Sequence, residues 1–278
     1  MIDDVRAYWV GPKRKRVWNL AGGQGVQLAG GIGGLHLPDF SQVGAEPARK
    51  PGRIYRATRF NYRKVSLNVL VGDPMWAPKI REGGEWRNLD ADWNGDLDAE
   101  VEGHLGFVTN RGYRWLPVRL ESATDPVWST EPGYLGMCLY SYVFACDSSF
   151  YRGFTAPYVV CNPGLNQFAG EVHNIGDREA YPVLKFEGPG TFTVGVPGRM
   201  TTFPKLLAGQ TLEVNTDPDV KTVTSGDGTS RFGELGFDHN FSIPVAAGEA
   251  VTFTATATGT TVASKVTAEV VPQYMRAW

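Results

Sequence analysis

Residues 251–259 read VTFTATATG, residues 191–196 read TFTVGV and residues 211–216 read TLEVNT. In each, apolar side chains alternate with Thr, Glu or Asn. A strand sends successive side chains to opposite faces, so each stretch reads as a half-buried strand. Turn signals punctuate this half of the chain: Pro163-Gly164, Gly188-Pro189-Gly190, Pro197-Gly198, Ala208-Gly209, Gly226-Asp227-Gly228 and Ala247-Gly248. Short strands at regular spacing between such breaks specify an antiparallel β-sandwich over residues 153–278.

Upstream of Arg152-Gly153 the composition changes, and 278 residues exceed what one core usually holds. Seven of the eight tryptophans lie at or before Trp128, and the eighth is the last residue. Residues 52–60, 65–71, 104–109, 113–121 and 136–146 read as strands, the last (GMCLYSYVFAC) as a buried one. The spacing of Trp86, Leu89, Trp93 and Leu97 predicts one amphipathic helix over 86–98. The expected fold is mainly β: an N-terminal β-rich domain with one helix, residues 1–152, then the sandwich. With 34 Gly and 18 Pro the chain is no helix bundle. Its longest apolar run, Met137 to Cys146, is too short to span a bilayer. The N-terminus MIDDVRAYWVGPKRKR has no signal-peptide pattern, so folding in a cytosol is expected.

The net charge of −2 argues against whole-protein attraction to nucleic acid. Charge is nevertheless segregated. Residues 49–64 carry Arg49, Lys50, Arg53, Arg56, Arg59, Arg63 and Lys64 and no acid. Residues 82–102 carry Glu82, Glu85, Asp90, Asp92, Asp96, Asp98, Glu100 and Glu102 against Arg87 alone. These blocks are either two solvated faces of one domain or the two halves of a head-to-tail subunit contact. Lys13-Arg14-Lys15-Arg16 reads as a solvated loop rather than a nucleic-acid patch.

Little in the chain points to chemistry. GGQGVQLAGGIGG (22–34) lacks the Gly-Lys-Ser/Thr ending of a phosphate loop. Cys138, Cys146 and Cys161 form no CxxC pair and are expected to be reduced and buried, the first two on one strand face. His36, His104, His173 and His239 are scattered. Asp90, Asp92, Asn94, Asp96 and Asp98 alternate, with Gly95 sixth, as in a calcium loop. Against calcium, Val101 takes the place of the bidentate Glu, and the same residues make the predicted helix. No GxSxG elbow or convergent acid pair marks a hydrolase.

Several segments in order resemble the distal tail proteins of long-tailed phages, of the minor-tail type found in phages of actinobacteria. They are GGIGGLHLPDF (30–40), the Pro51-Gly52 turn before a basic strand, LPVRLES (116–122), YPVLKFEGPG (181–190), LLAGQTLEVNT (206–216), SIPVAAGEAVTFTATATG (242–259) and YMRAW (274–278). The resemblance implies a galectin-like second domain and a homo-oligomeric ring, usually of six, at the virion tail tip. It implies contacts with the tail-tube, tape-measure and tail-associated tip proteins, with DNA passing through the lumen without specific binding. It implies assembly in the host cytoplasm, no membrane contact, no cofactor and no catalytic residues. Galectins read sugar with a His-Asn-Pro-Arg cluster and a stacking tryptophan. His173-Asn174 and His239-Asn240 are not followed by Pro-Arg, so the likeness is expected to be architectural. The alternative is a carbohydrate-binding adhesin module. In the ring, the expected subunit contacts are Arg53, Arg56, Arg59 and Arg63 with Asp90, Asp92, Asp96 and Asp98. Arg56, Arg59 and Arg63 in particular are expected to be paired with acids within or across subunits, because a channel for DNA should not grip phosphate.

Overall fold

In the computed structural model the alternation of residues 63–72 becomes the longest ladder of an antiparallel sheet, ten residues paired with 137–146. The structure describes residues 6–13, 16–49, 51–72, 83–236 and 240–278. Its two compact units are Met1–Arg152 with Met275–Trp278, and Gly153–Tyr274. The last four residues thus leave the stretch 153–278 expected for the sandwich and join the tryptophan-rich first unit.

The first unit contains β1 (Arg6–Val10), β2 (Val17–Asn19), β3 (Val26–Leu28), β4 (Phe40–Ala45), β5 (Ile54–Phe60), β6 (Arg63–Gly72), α1 (Gly83–Gly95), β7 (Gly103–Thr109), β8 (Gly112–Thr124), α2 (Pro132–Leu135), β9 (Met137–Cys146) and β10 (Tyr151–Arg152). Its main sheet runs β2-β1-β7-β8-β9-β6-β3, with β10 also on β8. Val65, Leu67, Val69 and Val71 of β6 are buried while Lys64 and Ser66 face solvent. On β9 the buried residues are Cys138, Tyr142, Phe144 and Cys146, whereas Leu139 and Ser141 are exposed. The run at 136–146, expected to be a buried strand, is buried on one face only.

The helix covers that face. The indole N–H of Trp86 donates to Val71 O at 3.1 Å, and that of Trp93 donates to Tyr142 Oη at 3.1 Å. Trp93 also meets Trp18 edge-on, with ring centroids 5.6 Å apart. The predicted span of 86–98 is shifted. The helix begins at Gly83 and stops at Gly95, where Asp96 N–H donates to Trp93 O and Leu97 N–H to Asn94 O. The Asp98 carboxylate then accepts from the N–H groups of Glu100 and Val101 at 2.7 and 3.1 Å, which sets a turn. Trp86, Trp93 and Leu97 are buried as the stripe requires.

The glycine-rich segment serves close backbone approach. Gly33 bridges to Ser66 of β6, and Gly34, at φ +79°, lies so near β6 that a Cβ there would sit 1.9 Å from Lys64 O. The C-terminal residues return to this region. Ala277 N–H donates to Leu35 O at 3.2 Å, and the Trp278 ring packs on Phe107 and His36.

The second unit is a sandwich. One sheet has the order β11-β19-β13-β16-β17, from Ala156–Cys161, Lys265–Val270, Val183–Glu187, Thr211–Asn215 and Thr222–Ser225. The other has the order β12-β18-β14-β15, from Ala169–His173, Ala250–Thr258, Thr191–Val196 and Arg199–Thr202. The alternating stretches put Phe192, Val194, Leu212, Val214, Phe253 and Ala255 in the core. Phe186 and Phe192, on opposite sheets, stand 5.8 Å apart, and Phe186 and Phe203 are 4.7 Å apart. Each buried Phe contributes about 2–3 kcal/mol of transfer free energy, so this cluster holds the two layers together.

Candidate assembly surface

Two stretches of the first unit leave the main sheet and pair only with each other. β4 and β5 form a separate two-stranded antiparallel hairpin, from Phe40 opposite Phe60 to Ala45 opposite Ile54, with a bulge between Val43 and Gly44. Phe40, Val43, Ile54 and Tyr55 are 48–60% exposed. A lone hairpin in water is marginal, and one that bares this much apolar surface is shaped for a partner.

The basic block divides between this arm and the interior. Arg53, Arg56 and Arg59 lie on or beside β5, exposed. The Arg53 guanidinium donates across the hairpin to Gln42 O. Arg56 and Arg59 have no acidic partner within the chain among the described residues. Arg63 departs from expectation altogether. Its side chain is 1% exposed and bound to carbonyls, not to acids. Nε donates to Ser149 O at 2.7 Å, Nη1 to Gly34 O at 2.7 Å and His36 O at 3.3 Å, and Nη2 to Met275 O at 2.7 Å. Burial lowers its pKa from the ordinary arginine value, and the Tyr151 ring lies 4.9 Å from the guanidinium carbon. Arg63 is therefore an internal clamp joining four chain segments, and no subunit contact can reach it. Lys50, Arg14 and Lys15 lie outside the described residues.

The acidic block is also largely committed within the chain. Asp92 pairs with Arg16 at 3.0 Å, and Asp98 with Lys13 at 2.6 Å. The Asp98 carboxyl falls to about 2, first because Lys13 hydrogen-bonds it and then because two backbone N–H groups do. Asp96 is buried and accepts from the Trp18 indole at 2.8 Å. Asp90 accepts from Tyr140 Oη at 2.6 Å and from Asn94 Nδ2 at 3.0 Å. Within the chain, Asp90, Asp92, Asp96 and Asp98 thus already have partners on the basic loop 13–16, on Trp18, on Asn94 and on Tyr140 of the sheet. Glu100 and Glu102 stay exposed. The residues of the calcium-loop alternative, Asp90, Asp92, Asn94, Asp96 and Asp98, lie in this same region. Residues 90–95 are helical, and among the described residues no group of three or more His, Cys, Asp or Glu side chains is placed to hold a metal ion.

In the second unit a shallow polar groove is lined by Lys205, Gln210, Thr211, Asp227, Arg231 and Glu234, with no aromatic side chain in its lining. Arg231 is held by both Glu234 oxygens, at 2.8 and 2.6 Å. His173-Asn174 makes no sugar cluster. Asn174 is buried and ties Arg178 O, Val245 O and Gly176 N–H together. His239 lies outside the described residues.

No protein-family model matches the chain, and no curated protein does. Solved structures do. The SPP1 Dit protein (gp 19.1), a paradigm of the hub adsorption apparatus in phages infecting Gram-positive hosts, superposes with a TM-score of 0.64 at 11% identity, over 97% of this chain and 99% of that one. Chains of the phage P2 baseplate in its activated conformation follow. The form with Ca gives 0.55 at 10% identity over 98% of each chain, and the form with Sr gives 0.54 at 11% over 96% of this chain and 98% of that one. The likeness extends over both units, and this chain has the mainly β fold of those phage hub proteins.

Proposed function

We propose that this chain is a structural protein of a phage tail tip, forming a ring that joins the tail tube to the adsorption apparatus. The observation that carries this reading is the β4–β5 hairpin. It is an arm with a bare apolar surface and a row of arginines, on a chain whose whole length has a hub-protein fold. A ring needs a heterologous contact that closes on itself, and a projecting arm supplies one half of such a contact. Six copies is the order proposed, with the tail-tube, tape-measure and tail-associated tip proteins as neighbours and DNA passing through the lumen. Arm arginines sequestered at subunit contacts would leave that lumen free of phosphate-gripping charge. The second unit is proposed as a galectin-like domain without a sugar site, its groove lacking an aromatic platform. The role proposed is non-enzymatic. Among the described residues no helix is long and apolar enough to cross a membrane.

The test is location. Gold-labelled antibody against the chain, applied to purified virions, should mark the distal end of the tail. Virions that lack the chain, or carry it elsewhere, contradict the proposal.

A further inference from the structure

The arm and a second exposed apolar patch lie at opposite ends of one ladder. β6 and β9 pair from Arg63 opposite Cys146 to Gly72 opposite Met137. The arm enters β6 at the Arg63 end through Asn61 and Tyr62. At the other end, the connection from β8 to β9 carries α2, and its apolar side chains face solvent. Val127 is 100% exposed, Trp128 54%, Tyr134 85% and Leu135 46%, with Leu139 of β9 at 51%. Nine residue steps put about 30 Å between the two ends. Both surfaces are open, so the arm does not cover the patch of its own copy.

The surfaces are matched in chemistry. The arm and its turn carry Arg49, Arg53, Arg56 and Arg59 against one acid, Glu46. The patch contains or adjoins Asp125 and Glu131 in sequence, against Arg87 of α1, which pairs with Glu131 at 2.9 Å. Exposed Trp and Tyr rings beside carboxylates suit an incoming arginine-bearing apolar strand pair, through stacking, cation–π contact and charge.

We infer that the Trp128–Tyr134 patch is the socket for the β4–β5 arm of the next copy of this chain. Donor and acceptor surfaces do not overlap, so each copy gives one arm and receives one, which is a head-to-tail contact able to close. This rests on the ring reading and adds where the contact falls.

Two variants test it. Trp128→Asp with Tyr134→Asp removes the socket, and Tyr55→Asp with Arg56→Glu removes the arm. All four residues are exposed, so the fold should persist, as checked by circular dichroism; Val127→Asp is a second socket variant. By mass photometry, wild type should form a closed ring, and each variant alone should be monomeric, with assembly at least about 100-fold weaker. Mixed, the two variants should form a one-to-one dimer and nothing larger, since only one working contact exists between them. A ring that survives loss of Trp128 and Tyr134, or a mixture that stays monomeric, overturns the socket alone. A wild-type chain that never assembles overturns the socket and the ring reading together.

Discussion

Replacing Arg63 with Ala removes a buried cation from four carbonyl oxygens at once. Three of its hydrogen bonds are 2.7 Å long, to Ser149, Gly34 and Met275. Bonds from a charged donor contribute about 1.5–3 kcal/mol each, so the gross loss is about 4.5–9 kcal/mol. The guanidinium no longer needs to be desolvated in the variant, which offsets several kcal/mol. What remains is about 3–5 kcal/mol, because the carbonyls of Ser149, Gly34 and Met275 are left without a donor at about 1–3 kcal/mol each. Every described tryptophan lies in the first unit, so tryptophan emission in urea follows that unit. At about 2 kcal/mol per molar urea, the midpoint should fall by about 1.5–2.5 M. Arg63→Lys should recover only part of this, because a compact ammonium cannot span donors pointing at Gly34, Ser149 and Met275 together. A midpoint shift below about 0.5 M, or a lysine variant equal to wild type, would refute the clamp.

Two further outcomes are expected. The folded-state pKa of Asp98, about 2, lies below the ordinary carboxylate value. Its contribution to stability is therefore present above about pH 4 and is lost as pH falls toward 2. Asp98→Asn keeps the acceptor for the Glu100 and Val101 N–H groups but removes the charge, so acid titration of fluorescence should show a shallower stability loss between pH 4 and 2 than wild type. Cys138, Cys146 and Cys161 are free and buried, and burial raises the thiol pKa of Cys146 and Cys161. In native protein they should react with a disulfide reagent only as fast as the units open, and three thiols should appear promptly in denaturant. Fast native labelling, or fewer thiols, would contradict their placement.

The sandwich was legible because its strands alternate: Leu212 and Val214, or Phe253 and Ala255, announce their face by spacing alone. The clamp was hidden by its neighbours. Arg63 sits in a run of basic residues and reads as surface charge. Yet the same period of two that buries Val65, Leu67, Val69 and Val71 lands on Arg63 when counted backwards, and that was the available signal. The pairing of Lys13 with Asp98 and Arg16 with Asp92 left no local trace, because it depends on which strands become neighbours across the sheet. Of the arm, residues 52–60 were legible as a strand, while Phe40–Ala45 was not, and neither was legible as an arm. Phe40, Ile54 and Tyr55 have the composition of a core strand, and only the absence of a covering layer makes them a surface.

The most direct measurement is the mass of the purified chain in solution with an image of the particle. A closed, hollow ring is the expected result, about 180 kDa for six copies of the 30.4 kDa chain. A solid particle, or a stable monomer at high concentration, would contradict the account.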